Sequence, residues 1–463
     1  MEYGVRSQKL AAFAVDTKFE DIPTTVIEKT KRHILDTLGA GLAGALSDEV
    51  SKLAKVFELY ESSGTVPLWG TGRKAGARNA ALANGMACHT FELDDTGGCD
   101  HSGAVVIPAL LAALPICSKT VTGKDFISAV VVGYDIARRA LESCGAYEPH
   151  NEQGWHSTST CGTFGAAAAV GRLMALEIPE MQSAIGLAAS MSGGTWAFIH
   201  DGAQSKRLHP GRAAEGGLLS AMLAKNGFKG PSQIFDDVWG GFSRTYSPNT
   251  SFPQAWVEEL GQNWKMNRVS IKPHASCRSA HSGIDAVNFI MKKNNLSPDS
   301  IKTITIRWNT FLNNMCGGKK TETLPMAQMS LPYALCALLR YGTTSLEAYT
   351  KKRRLDTQII QDFSKIITVC DDTMPADEEP FITIETVTGE HYTHQVPIPL
   401  GAPANPLSDE KLIEKYESLA GMIWPEETVK KLCHEIMSLE ACSNIEKIDM
   451  LLGTSPLTQE KFI

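Results

Sequence analysis

Apolar positions through the first half of the chain recur at helical intervals. After Asp21-Ile22-Pro23, a start signal, Val26, His33, Ile34 and Leu38 follow at near-helical spacing. Small residues (Gly39, Ala40, Gly41, Ala43, Gly44) then let a second helix approach closely. Thr122 stands three positions before Asp125, the spacing of a capping box, and Phe126, Ala129, Val130, Gly133, Ala137 and Ala140 form one apolar stripe behind it. Stretches 161–176 and 181–192 are rich in Ala and Gly, and 216–223 continues in that style. Such segments suit buried, tightly packed helices. The longest apolar run, 103–117, contains Pro108 and Pro115 and falls short of the ~18 residues of a membrane span, so it reads as a buried helix.

The texture changes near residue 266. Residues 269–272 are β-like, 282–293 form an amphipathic helical pattern, and 301–308 (IKTITIRW) alternate as a half-buried strand does. A helix is predicted over 323–341. Two strand-like runs, 381–387 and 391–396, flank Thr388-Gly389-Glu390, a hairpin signal. A connector rich in Pro and Gly (397–406) leads to two more helical segments, 408–421 and 426–439. The predicted fold is therefore mostly α with an α+β insert. A large all-helical domain is built from both chain ends (1–266 and 401–463), with a smaller α/β lid domain (267–400) between them. A cleft is expected at their junction.

Composition narrows the function. At 463 residues the chain exceeds the ~250–300 that one core supports. A net charge of −7 argues against nucleic acid or an anionic membrane as partner, but not against a small anion met by a few local cations. The eleven cysteines include no CxxC pair, so they read as reduced core residues. Apolar residues 10–15 are too few for an export signal, and Glu2, Asp16, Glu20 and Asp21 disfavour a transit segment. A cytoplasmic location is expected, with a mitochondrial matrix location left open for a eukaryotic source.

Four segments concentrate chemistry. The first runs from His89 to Gly103 and holds Glu92, Asp94, Asp95, Asp100, His101 and three hydroxyls between two apolar segments. Gly97-Gly98 makes a turn there, able to fold His101 back toward Asp94 and Thr96. A carboxylate beside an imidazole orients it and tunes its pKa; a solvated acidic loop capping the next helix is the plainer reading. The second, 154–165, crowds hydroxyls around His156 before a small-residue helix; an anion site at the helix start and simple N-capping both fit. The third, 205–212, offers Lys206, Arg207, His209 and Arg212 to a carboxylate, or forms a solvated basic turn. The fourth, 272–278, places Lys272 and Arg278 at the start of the insert, where surface exposure is the simpler expectation. No Walker motif, dinucleotide-binding glycine pattern, HExxH, paired-cysteine zinc pattern or GxSxG elbow occurs. His391 and His394 fall on opposite faces of a predicted strand, so no metal site is expected from them.

These segments, in order, resemble the MmgE/PrpD family, which includes 2-methylcitrate dehydratase, cis-aconitate decarboxylase and iminodisuccinate epimerase. The resemblance runs through Asp36-Thr37-Leu38-Gly39, LWGTGRKAGARNAALANGMACHTFELDD (68–95), HSGAVVIPALLA (101–112), GWHSTSTCGTFGAAAA (154–169), QSKRLHPGRAAEGGLLSAMLAKNGF (204–228), SIKPHASC (270–277) and MSLPYA (329–334). It implies a homodimer without metal or organic cofactor, acting on a small polycarboxylate. It also implies Asp94, His101 and His156 as catalytic residues, and Glu92, Thr96, Lys206, Lys272 and Tyr333 as substrate-binding ones. In that reading His101 is the main acid/base, held by Asp94. His156 is a second proton-transfer group, Lys206 and Lys272 clamp substrate carboxylates, and Thr96 hydrogen-bonds one of them. Two departures, a shorter Thr96–His101 connection and Glu215 where relatives carry Arg, are expected at the pocket wall. The expected activity is that of a cofactor-independent lyase, a dehydratase or decarboxylase, on an acid such as 2-methylcitrate or cis-aconitate. An epimerase of an amino- or imino-dicarboxylate such as iminodisuccinate is the alternative, and a non-catalytic binding protein on the same fold a remote one.

Overall fold

A computed structural model describes residues 3–61, 63–375 and 377–457. Glu2, one of the acids weighed against a transit segment, lies outside the described residues. The fold is mostly helical with an α/β portion. Helix Thr24–Gly44 starts directly after Pro23. The capping box at Thr122 forms as its spacing predicts: Thr122 Oγ1 accepts the Asp125 N–H at 3.2 Å, and Asp125 Oδ2 accepts the Thr122 N–H at 3.0 Å. The helix it opens, Gly123–Ser143, packs against Gly162–Leu173. Run 103–117 forms a fully buried helix, Gly103–Ala113, and a single 3₁₀ turn, Leu114–Ile116.

Two apolar cores result. The larger gathers side chains from Leu10 to Ile271 and again from Leu407 to Leu452. The second runs from Ala275 to Ile384 and takes in Ala40, Ala43, Phe91, Leu93 and Leu419 from the helical body. Phe91 and Leu93 flank Glu92 in sequence, so the segment rich in carboxylates is pinned to the α/β portion by its apolar residues.

The sheet has the order Ile366–Cys370, Ile301–Trp308, Phe381–Thr386, His391–Gln395. The first pair is parallel and the others antiparallel, and the last two strands form the expected hairpin. Ile304, Ile306, Ile382 and Ile384 are fully buried, and helix His281–Lys293 packs against the sheet. His394 stacks on Phe289 with ring centroids 4.0 Å apart.

Several expectations need correction. The helix predicted over 323–341 is two helices, Leu324–Gln328 and Leu331–Tyr341, because Ser330 caps the second through the Tyr333 N–H and Pro332 cannot continue a preceding turn. Residues 269–272 form no strand; Ser270 makes one isolated bridge with Thr96. Segment 205–212 is not a basic turn but the first two turns of helix Ser205–Lys225, which carries Pro210 inside it. Edge strand Ile366–Cys370 and the short pair Val66–Leu68 and Arg73–Ala75 were not predicted. The edge strand leaves Ile367 and Val369 exposed, so it lacks a clean apolar-in, polar-out signal.

Candidate active site

Helix Ala77–His89 crosses Ser205–Lys225 where two glycines meet. A Cβ on Gly85 would lie 2.8 Å from the Gly211 Cα, so only bare backbone allows the approach. That crossing brings the end of one helix, His89, toward Lys206 and His209 at the start of the other. The chain then runs through residues 90–102 into helix Gly103–Ala113. Asp95 anchors the join: its carboxylate accepts the Gly103 N–H at 3.0 Å and the Tyr134 hydroxyl at 2.6 Å, and it lies 3.3 Å from His33 Nδ1. Asp95 is thus the structural acid of the pair, and its neighbour Asp94 is left to the imidazoles.

Asp94 is fully buried between two histidines. His89 Nδ1 lies 3.0 Å from Oδ1, and His101 Nδ1 lies 3.1 Å from Oδ2. His101 Nδ1 is also 2.8 Å from the Asp95 carbonyl oxygen. A carbonyl only accepts, so this nitrogen carries a proton and Nε2 is the atom that varies. Nε2 faces Asp100 Oδ2 at 3.5 Å. Burial opposes charge on His101, but the Asp100 and Asp94 carboxylates outweigh it and raise its pKa to about 9. It is an imidazolium at neutral pH. His156 differs. Burial dominates, His209 and Lys206 add to it, and Asp100 does not compensate; its pKa falls to about 3. Its Nδ1 meets His209 Nδ1 at 2.8 Å, a contact that needs one nitrogen protonated and the other bare. Its Nε2 lies 3.3 Å from Thr158 Oγ1 and 3.7 Å from Asp100 Oδ2. Two imidazoles on either side of Asp100 are therefore held in opposite protonation states, the pattern that separates acid from base.

Glu92 receives both lysines. It pairs with Lys206 Nζ and, at 3.3 Å, with Lys272 Nζ, and all three groups are buried. Burial works against its charge, but Lys206, His89 and Lys272 hold its carboxyl well below the usual range. Lys272 is thus buried, contrary to the exposure that its segment alone suggests. Thr96 donates to Asp100 Oδ1 at 3.0 Å. Glu92 (φ 54°) and Asp100 (φ 109°) both lie in left-handed backbone that costs such residues about 1–3 kcal/mol, a strain the surrounding structure must hold.

These groups border an open cleft of about 480 Å³, whose walls include Glu92, Thr96, Asp100, His101, Lys206 and Cys277. His101 is the only imidazole on its surface among the described residues; His89, His156 and His209 stand behind it. Tyr333 is not on the wall. It sits in the α/β core with its hydroxyl donated to the Ala348 carbonyl at 2.6 Å. Glu215 is also off the wall, paired with Arg78 and Arg212, whereas the short Thr96–His101 turn does line the cleft. The hydroxyls of 157–160 face inward: Thr160 meets His150 Nε2 at 2.7 Å, and Thr158 Oγ1 is 3.4 Å from the His101 N–H.

Two donor sets, Asp94 with His89 and His101, and Asp100 with His101 and His156, each lie within 4.8 Å, close enough to share a cation. In the first set His101 aims its Nδ1 proton at Asp94 and the Asp95 carbonyl; in the second its Nε2 faces Asp100. Sequence reasoning placed His89, Asp100 and His209 in the right segments without assigning them roles. Their only signal was nearness in sequence to residues that were assigned.

Comparison with known proteins fits this layout. The description MmgE/PrpD N-terminal domain matches residues 8–255, and MmgE/PrpD C-terminal domain matches 274–439. The chain is 28% identical to a cis-aconitate decarboxylase-like protein, oryM, of Aspergillus oryzae, over 96% of each chain. It is 27% identical to a cis-aconitate decarboxylase of Aspergillus terreus, over 96% of this chain and 95% of that one. It is 29% identical to the cis-aconitate decarboxylase of Homo sapiens, over 93% and 91%. With both domain descriptions matched in order across most of its length, the chain belongs to the MmgE/PrpD family.

Proposed function

We propose that this protein decarboxylates a small unsaturated polycarboxylate of the cis-aconitate type, with His101 as the proton donor. The coarser statement, that it is an enzyme and a lyase of the MmgE/PrpD type, has the support of relatives matched over nearly their whole length. The observation that carries the finer reading is the one imidazole lining the cleft among the described residues, His101, held by Asp94.

Decarboxylation of such an acid breaks one C–C bond. The carboxylate leaves as CO₂, and its electron pair passes into the carbon framework, delocalised through the double bond toward a remaining carboxylate. One proton must then reach carbon. His101 Nε2–H supplies it and becomes neutral, and solvent restores it. Lys206 on the wall, with Lys272 behind Glu92, offsets the developing negative charge; fixed groups of this kind need no reorganisation as the charge forms. Thr96 and Asp100 orient His101 from the other side. Neutral His156 lies behind Asp100 and acts as a positioning residue. An epimerase needs two proton-transfer groups open to opposite faces of one carbon, and among the described residues the cleft wall carries one imidazole.

The test is turnover of cis-aconitate, citrate, 2-methylcitrate and iminodisuccinate, followed by proton NMR in deuterated water. Cis-aconitate should lose CO₂ and gain one deuteron at carbon. His101→Ala should lower kcat at least about 100-fold with an unchanged circular dichroism spectrum. Deuterium entering a substrate without a new product would replace this reading with isomerisation.

A further inference from the structure

The Thr96–Gly98 turn also shapes a second part of the cleft. Thr96 and Ser270 exchange backbone hydrogen bonds at 3.0 and 2.7 Å, and Gly97 lies against the Arg268 carbonyl. This fixes Arg268 on the cleft wall beside the turn. Arg138 reaches the same wall from helix Gly123–Ser143. Its Nη1 donates to the Gly98 carbonyl at 3.2 Å, and its Nε to Glu142 at 2.9 Å. Glu142 is shared with Lys265 Nζ at 2.8 Å. Arg268 makes no ion pair among the described residues. Partial burial and the like charge of Arg138 lower its pKa, with Glu142 opposing. Three cations thus gather around one carboxylate, and two of them face open space.

The other cations of the site are paired, and Asp377 adds an exposed carboxylate to the wall. Lys206 and Lys272 are engaged by Glu92, the His101 charge by Asp94 and Asp100, and Arg278 on the wall by Glu379. Surplus positive charge is therefore on the Arg138–Arg268 wall, across the turn from His101. Paired guanidiniums present forked N–H donors that fit a carboxylate, and their mutual repulsion is relieved when one binds.

Resting on the reading that the site takes small polycarboxylates, we propose that Arg138 and Arg268 form a further carboxylate subsite that makes the protein select tricarboxylates over dicarboxylates. One end of the substrate meets His101 and Lys206, with Lys272 buried behind Glu92; the carboxylate that a dicarboxylate lacks meets the arginines.

Arg268 is the residue to replace, because Arg138 also holds the turn and Arg268 is exposed at the cleft mouth. The probes are propane-1,2,3-tricarboxylate, which lacks the double bond and does not react, and glutarate. Calorimetric titration of the full-length protein should show tighter binding of the tricarboxylate. Arg268→Ala should weaken that binding about 10–100-fold and glutarate binding less than about threefold, with Arg268→Lys intermediate. Equal losses for both acids, no loss for either, or no binding of either by the unaltered protein overturns the subsite. Turnover of cis-aconitate, measured in parallel, separates the two ideas. An inactive protein that still discriminates through Arg268 sinks the decarboxylase reading alone, and an active one indifferent to Arg268→Ala sinks the subsite alone.

Discussion

His101 sits where three effects compete, and their balance sets how the protein should respond to pH. Burial disfavours its charge; Asp100 and Asp94 favour it and prevail, to about 9. A proton donor must be protonated, so kcat should stay level through neutrality and fall as pH rises through about 9. The sign for stability is the same. The folded pKa is raised above the unfolded value near 6.5, so the stabilisation is complete below about 6.5 and is lost as pH rises through about 9. Asp94→Asn removes one of the two supporting carboxylates and should move the alkaline limb of kcat to lower pH. Profiles of kcat against pH for both proteins check this, and a limb that stays in place would show that Asp94 does not set the charge. At this scale, the types Asp, His and Lys and their crowding were legible in the chain. Which of two adjacent acids, Asp94 or Asp95, faces the imidazoles was not, because it depends on Tyr134, His33 and the Gly103 N–H arriving from other elements.

Among the elements, the turn Thr96–Gly98 links most of the site. Gly97 has φ 91°, and a Cβ there would stand 2.8 Å from the Arg268 carbonyl oxygen. Gly97→Ala meets both a strained backbone and a contact with another backbone, which cannot give way as a side-chain tip can. We expect it to destabilise the protein by roughly 1–3 kcal/mol and to depress kcat further, since Asp100 and His101 follow on the same turn. Urea unfolding beside an activity assay tests this; an unchanged midpoint would mean the turn is free to shift. The glycine pair announces a turn in the sequence. That the turn docks on residues 268–270 is invisible there, because the partner is distant in the chain and forms a bridge, not a strand. The helices were legible for a simpler reason. Stripes and capping boxes are local, whereas strand Ile366–Cys370 owes its place to a neighbour about sixty residues earlier and carries no alternating pattern.

Across the molecule, the helical body and the α/β portion are joined at the site by a buried hydrogen-bond network. Gln328 donates to the Phe91 carbonyl at 2.7 Å and to the Ala275 carbonyl at 3.2 Å, and its oxygen accepts from Arg207 at 3.0 Å. Arg207 in turn donates to the Thr90 carbonyl at 2.7 Å. The Thr90 and Phe91 carbonyls, just ahead of Glu92 and Asp94, are thus tied to the helical body and to the α/β portion. Gln328→Ala removes three buried hydrogen bonds that join the two portions, each worth about 0.5–1.5 kcal/mol. A lower melting temperature together with reduced kcat is expected. Loss of stability with full kcat would show that the network supports the junction and not the loop.

The chain's own pattern determines a helical body, an α/β insert, and the segments that carry acids, imidazoles and lysines, because periodicity, capping and residue type act over a few neighbours. Tertiary structure alone decides that Lys272 is buried against Glu92, that Tyr333 belongs to a core, and that His101 is charged while His156 is not. Burial and Coulomb interaction depend on distances between residues far apart in sequence, and only the folded chain sets those distances.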